Sequence, residues 1–375
     1  MIKIRLNTGV VILRIFLISG LFCALSMVQL QSQSRYKYEI EKVSNDIFLL
    51  RPVINKYRWV TSNIVMIINK EDLLVIDSGL LPSAAEEAIT HIKNLTTKPV
   101  KYLINTHWHG DHWQGNVAFA NAYPGIKIIT SAKNKAAIER NGNVWARKHY
   151  RYFLNRMIKE YQETLIKERE GKNDELTVEE ELLVEHGIID MNKDIEELKD
   201  LELIIPNITF DKKMILKSGG RIIELQYPGP GNTIGDVIVW LPKEKVLFTG
   251  DLVVYPSPYE SGAFSQDWID TNRKLQADFK YKLLIPGHGE IQRDTVYLSY
   301  INDLFKEIVL QMEAAYVNGT FNVDDAQRTV TFQSVTEKLN KNLNYRKYTE
   351  KLDKAFISSA IRSSFLSLVN GKMKG

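Results

Sequence analysis

Short apolar runs separated by turn formers dominate the first part of the chain. Residues 38–43, 47–50, 64–68 and 73–76 carry the apolar positions, and Asn69, Lys70, Glu71 and Asp72 form one of the turns between them. Runs of that length, bounded in that way, predict strands of an antiparallel sheet. The period then lengthens. Ser83 and Glu86 have the spacing of a capping box, and Ala88, Ile89, Ile92 and Leu95 supply the apolar stripe of the helix it would open. A buried strand at 100–105, a helix through Val117, Phe119 and Ala120, and a strand at 126–130 complete this half.

From about 131 to 203 the strand-helix alternation is interrupted by a long, charged, mostly helical stretch. Residues 152–169 have helical spacing, broken by Gly171-Lys172-Asn173-Asp174. Thr177 and Glu180 form a second capping box, opening a helix expected to end near Gly187, and a third helix is predicted over 194–201. This insertion is either a lid over the site or a decorative or oligomer-forming hairpin. Strands resume at 208–210, 214–216, 222–225, 237–241 and 246–248, with Ser218-Gly219-Gly220 and Pro242-Lys243-Glu244 as turns. Helices are predicted at 267–279 and 296–317. A helical appendage over 336–343 and 345–368 follows, and its Ile357, Ile361, Phe365 and Leu368 stripe would dock on the body or on a second subunit.

The pattern divides the chain into five parts: 1–34, a first core half at 35–130, the insertion at 131–203, a second core half at 204–318, and the appendage at 319–375. In the first part, Lys3, Arg5 and Arg14 precede or interrupt an apolar run over 10–30, and Ser32-Gln33-Ser34 offers a cleavage site. That is the pattern of an export signal, giving a periplasmic or secreted protein; a membrane anchor through 10–30 is the rival reading. Cys23, the one cysteine, lies in this run, so a processed chain would have neither a disulfide nor a thiolate ligand.

The chain has 375 residues, 44% of them hydrophobic, enough for a substantial core. Its net charge of +4 leaves no nucleic-acid footprint. The expected partner is a small-molecule substrate, and self-association into a homo-oligomer is left open.

Chemistry concentrates in Thr106-His107-Trp108-His109-Gly110-Asp111-His112, directly after the 100–105 strand. Alternate residues of extended chain share a side, so His107 and His109 can hold one ion while Asp111 and His112 face a second. Imidazole and carboxylate are common ligands of zinc and its neighbours. Gly110 is expected to permit the turn. Trp108 flanks the ligands, and Tyr57 and Trp59 lie in an aromatic, basic loop. Each is a candidate for substrate contact or for packing. Tyr255 and Tyr259, in a Pro-rich loop, can line a pocket or donate to a developing oxyanion.

This motif resembles that of the metallo-β-lactamase superfamily, whose ligand series continues through about residues 37 to 295. Val75-Ile76-Asp77-Ser78-Gly79 is similar to the family's early motif, in which the aspartate holds the metal loop without binding metal. Phe248-Thr249-Gly250-Asp251 matches the motif whose aspartate bridges two ions, and Ile285-Pro286-Gly287-His288-Gly289 the final histidine motif. One position departs. In Gly229-Pro230-Gly231-Asn232-Thr233-Ile234-Gly235-Asp236, Asn232 stands where the family usually has histidine. The resemblance implies an α+β fold, a four-layered αββα sandwich. It also implies a metal set of His107, His109, Asp111, His112, Asn232, Asp251 and His288, with Asp77 behind it.

The cofactor expected is one or two divalent ions, zinc first, with manganese or iron also admitted. An amide oxygen is a harder and weaker donor than imidazole, so the His107, His109, Asn232 subsite should bind less tightly. The function implied is exported hydrolysis of an ester, lactone, thioester or amide by a metal-bound hydroxide, with Asp111 orienting the nucleophile and passing its proton. A β-lactamase proper is less favoured, because that branch generally has cysteine or serine at the position of Asp251. Iron-dependent oxygen chemistry and a non-catalytic, metal-stabilised binding protein are the other classes.

Overall fold

Seven strands pair in sequence order into one sheet: β1 (Tyr38–Lys42), β2 (Ile47–Pro52), β3 (Ile64–Ile68), β4 (Leu73–Ile76), β5 (Val100–Ile104), β6 (Lys127–Ser131) and β7 (Ile208–Phe210). The computed structural model describes residues 35–54, 61–169, 176–259, 265–316 and 322–369. The 1–34 segment with Cys23, the loop containing Tyr57 and Trp59, and the expected break at 171–174 lie outside the described residues. Pairing is antiparallel from β1 to β4 and parallel from β4 to β7. The second sheet has five strands, β8 (Lys213–Ser218), β9 (Arg221–Gln226), β10 (Ile238–Leu241), β11 (Val246–Phe248) and β12 (Leu283–Ile285), antiparallel except for β11 with β12. Although β7 follows the insertion in sequence, it completes the first sheet rather than joining the second.

Successive strand side chains point to opposite faces, and that period assigns the layers. Val65, Ile67, Leu74 and Ile76 meet Ile223, Leu225, Val239 and Phe248 between the two sheets. Ile64, Met66, Leu73 and Val75 point the other way, onto helices α1 (Pro82–Leu95) and α3 (Asn116–Ala122) and the insertion. Burial on both faces explains why β3 and β4 read as continuous apolar runs. Between α1 and α3 lies the single turn α2 (Gly110–Trp113). The outer face of the second sheet is covered by α7 (Ser265–Asp278), α8 (Val296–Ala315) and the appendage. The result is the αββα sandwich.

The insertion comprises α4 (Ala132–Ala137), two π-helical segments (Ile138–Gly142 and Trp145–Tyr150), α5 (Arg151–Arg169) and α6 (Val178–Lys199). Thr177 and Glu180 do form a capping box. The helix they open does not end near Gly187; it absorbs the segment expected to start a third helix. An interior glycine costs only about 1 kcal/mol relative to alanine, and α6 offsets it by burying Val184, Met191 and Leu198. The other expected box, at Ser83, does not form. Pro82 opens α1, and Glu197 of α6 accepts from the Ser83 backbone N–H at 2.8 Å and from its hydroxyl at 2.7 Å. Arg35 joins the same cluster through Asp194 and Glu197. The insertion therefore caps a helix of the core.

The appendage has α9 (Val323–Thr329), α10 (Phe332–Leu339), α11 (Arg346–Thr349) and α12 (Lys354–Val369). The helix expected over 345–368 is broken at 350–353, where Asp353 Oδ1 accepts from Ala355 N at 2.8 Å and restarts the chain as α12. Ile357, Ile361 and Phe365 join the core that contains Trp268, Leu304 and Phe305, so this stripe docks on the body. Among the described residues no helix is long and apolar enough to cross a membrane.

Candidate metal centre

Loops leaving the ends of β4, β5, β11 and β12 converge at one rim of the sandwich and bring Asp77, the histidine motif, Asp251 and His288 together. Asp77 adopts φ 60°, a conformation that aspartate tolerates better than most residues. Its Oδ1 accepts from Thr106 N at 2.8 Å, and its Oδ2 from Thr106 Oγ1 at 2.9 Å. Oδ2 also lies 2.8 Å from His112 Nδ1. With Nδ1 held as the donor, it is Nε2 of His112 that gives up its proton to present a lone pair to a bound ion.

His109 caps α2, and the first turn of that helix sets Asp111 and His112. Ser62 Oγ donates to the Asp111 carbonyl at 2.6 Å, and Asn105 Nδ2 to that of His112 at 2.9 Å. Asn63 Nδ2 donates to the carbonyls of Pro286 and Gly289, both at 3.0 Å, gripping the His288 loop from either side. Gly110 has no positive φ. A Cβ there would lie 2.4 Å from the Trp145 ring and 2.5 Å from Gln114, so close approach, rather than the expected turn, requires glycine.

Two donor groups result, His107 with His109 and Asp251, and Asp111 with His112 and His288, each with its ligand atoms within 4.8 Å of one another. Asp251 belongs to both. Its Oδ2 is 3.5 Å from His107 Nε2 and 3.5 Å from His288 Nε2, and its Oδ1 is 3.4 Å from His112 Nε2. These separations suit a shared cation better than direct hydrogen bonds. The Nε2 atoms of His107, His109 and His112 are buried without hydrogen-bond partners. Asn232 is also buried. Its Nδ2 donates to the Tyr259 carbonyl at 2.9 Å, leaving Oδ1 as an orphaned acceptor. Four imidazoles and two carboxylates, with that many unpaired buried atoms, fit divalent ions.

The two subsites differ in charge. Burial removes the proton from His107 and His109, holding His107 well below the usual imidazole range and His109 at about 4. His112 and His288 are buried too, but Asp111 and Asp251 outweigh that loss, raising His112 well above 6.5 and His288 to about 9. Asp251, against its own burial, is held well below the carboxylate range by His112, His288 and His107. Sequence reasoning passed over Asp236. Its carboxylate accepts from Thr233 N at 2.8 Å and Thr233 Oγ1 at 2.9 Å, fixing the Asn232 loop, and burial pushes it up to about 7.

A cleft of about 480 Å³ opens onto the centre, lined by His109, Asp111, Asp251 and His288 at its metal end. Tyr255 and Tyr259 line it. Trp108 does not line it and instead stands edge-on to His109, with ring centroids 4.9 Å apart. Its place is taken by Trp145 of the insertion, with Lys351 and Asp353 of the appendage on another wall. No local pattern marked these three. His91 pairs with Glu87 on α1, away from the centre.

Residues 57–288, more than half of the chain, match the family model described as the metallo-beta-lactamase superfamily, a superfamily of metallo-hydrolases. The chain belongs to that superfamily. A metallo-beta-lactamase type 2 of Elizabethkingia meningoseptica is 29% identical over 112 residues, which cover 28% of this chain and 45% of that protein. The corresponding protein of Bacillus cereus is 33% identical over 96 residues, covering 24% and 37%. The chain thus spans less than half the length of these curated relatives. Among solved structures, a metallo-beta-lactamase from Pontibacter korlensis superposes with a TM-score of 0.51 at 22% identity, covering 72% of this chain and 99% of that one. The DIM-1 metallo-beta-lactamase gives 0.50 at 21%, covering 72% and 97%. At these identities the likeness speaks for the fold.

Proposed function

We propose that this chain is an exported metal-dependent hydrolase acting on an ester, lactone, thioester or amide of a small molecule. The observation that carries the reading is the position of Asp251 among four buried or half-buried histidines, three of which have an unpaired Nε2, at the end of an open cleft. His107, His109, Asn232 and Asp251 would hold one divalent ion, and Asp111, His112, His288 and Asp251 another. When bound, such ions supply Lewis acidity and make water acidic enough to serve as a nucleophile near neutral pH. The chain's own contribution is position and proton handling. Asp77 keeps His112 in the tautomer whose Nε2 is free. Asp111, with its side chain at the cleft wall 3.1 Å from His288 Nε2, orients the attacking water and takes its proton. The Tyr255 hydroxyl, in the same cleft, can donate to a developing oxyanion. Export rests on the 1–34 pattern.

β-Lactam hydrolysis is a second reading, favoured by the names of the relatives and disfavoured by aspartate at 251. The test is elemental analysis of residues 35–375 beside His288→Ala, with ester, lactone and β-lactam hydrolysis followed in parallel. Two zinc or manganese ions with turnover, both diminished in His288→Ala, are expected. Iron with oxygen consumption, or metal without any turnover, would sink the hydrolase reading.

A further inference from the structure

One wall of the cleft comes from beyond the matched residues 57–288. Lys351 and Asp353 sit in the break between α11 and α12 and reach the cavity that contains Asp111, Asp251 and His288. The break is firmly placed. Tyr348, Leu352 and Phe356 on either side are buried in the core over the second sheet, and Asp353 N donates to Ser257 Oγ at 3.2 Å. The Asp353 carboxylate is engaged in starting α12. Lys351 Nζ donates to Tyr255 Oη at 2.9 Å and lies 5.4 Å from the centroid of the same ring.

That contact aims a cation without neutralising it. Among the described residues Lys351 is the one permanent cation lining this cleft, and the carboxylate that acts on it electrostatically, Glu290, lies 3.8 Å from Arg51. Arg51, in the adjoining cavity that Lys351 also lines, is by contrast paired with Glu39 at 2.7 Å. Hydrogen bonding to Tyr255 raises the ammonium group further above its ordinary range, so it is charged at any physiological pH. The cleft also has an apolar lining of Ile54, Trp145, Val254 and Pro256. Trp145 is held there by its fit over Gly110 and by stacking on Tyr150, with ring planes 3° apart.

We propose that Lys351, backed by Tyr255, recognises a carboxylate on the substrate, whose apolar body lies along Trp145 and Ile54 and whose scissile bond faces Asp111 and Asp251. The substrate class is thus an amphiphilic monocarboxylate carrying a hydrolysable bond. This rests on the hydrolase reading and narrows it. It also gives the appendage a part in the site: Lys351 is open to solvent, so its charge-assisted hydrogen bond is screened and selects an anion over a neutral isostere by a few-fold.

The test compares 4-nitrophenyl hemisuccinate with the neutral 4-nitrophenyl butyrate on the metal-loaded full chain, on Lys351→Met and on Lys351→Arg. The expected result is a KM for the hemisuccinate raised a few-fold in Lys351→Met relative to the KM for the butyrate, any change in kcat through Tyr255 being shared by the two esters, and Lys351→Arg restoring most of the difference. Equal shifts on both esters, or none, would overturn the proposal. Binding is measured in parallel by tryptophan fluorescence with 4-phenylbutyrate against its amide, so that a failure of hydrolysis is told apart from a failure of recognition. A preference for the carboxylate that disappears in Lys351→Met supports the assignment even without turnover. Equal affinity for the two, or a preference that survives the substitution, rejects it.

Discussion

His112 Nδ1 lies 2.8 Å from Asp77 Oδ2, inside a buried group in which both oxygens of Asp77 also hold Thr106. One carboxylate thereby fixes a ligand's tautomer and the backbone that carries the ligand before it. Asp77→Ala removes both restraints, and metal affinity at the Asp111, His112, His288 subsite is expected to fall by about 10- to 100-fold. Competition with a chromogenic chelator measures this. An unchanged affinity would mean that His112 is oriented by something other than Asp77.

Gly287 is required by Asp251. A Cβ at 287 would sit 1.9 Å from Asp251 Oδ1 and 2.8 Å from the Gly250 carbonyl carbon, and the second of these is backbone that cannot rotate away. Gly287→Ala should therefore displace the one carboxylate shared by both donor groups, at an overpacking cost of about 1–3 kcal/mol. Metal content should fall toward that of Asp251→Ala while circular dichroism stays native. Two ions bound at parental affinity in Gly287→Ala would show that the Asp251 position is not what holds them.

Asn232 tests the departure from the family pattern. Its Oδ1 is buried and unpaired, while Nδ2 is committed to the Tyr259 carbonyl. Replacing amide oxygen by imidazole suits zinc better, so Asn232→His should tighten the His107, His109 subsite by on the order of tenfold or more. Isothermal titration on the two proteins resolves the change. Identical metal content and affinity would place Asn232 outside the coordination sphere.

Much of this architecture was legible because it depends on local period. The apolar runs at 64–68 and 73–76 coincide with β3 and β4, and the motif residues occupy strand ends as their order in the chain implied. What escaped depends on partners far away in sequence. Ser83 looks like a cap until Glu197, 114 residues on, arrives to satisfy the same backbone N–H. Gly187 looks like a helix end until the apolar face of α6 is seen to be buried on both sides of it. Trp145 and Lys351 carry no spacing signal, since a cleft wall is assembled from whichever elements pack beside it. The assignment of β7 to the first sheet likewise follows from its pairing with β6.

The charge difference between the subsites predicts how metal binding depends on pH. Without metal, His288 titrates at about 9 because Asp251 and Asp111 hold its proton against burial, so it is cationic at pH 7. A ligand must be deprotonated, and binding at this subsite has to release that proton. Affinity should therefore climb between pH 6 and 9 by about tenfold per unit for each proton released. His109, at about 4, is already neutral, so its subsite should show little histidine-linked pH dependence above pH 5. The same raised pKa gives the metal-free fold a stabilisation from the His288 ion pairs that is complete below about 6.5 and lost as pH rises through about 9. Titrations at pH 7 in buffers of different ionisation enthalpy count the protons directly. At least one proton released with one ion and almost none with the other is expected; binding of both ions without proton release would contradict the charge states assigned to His288 and His112.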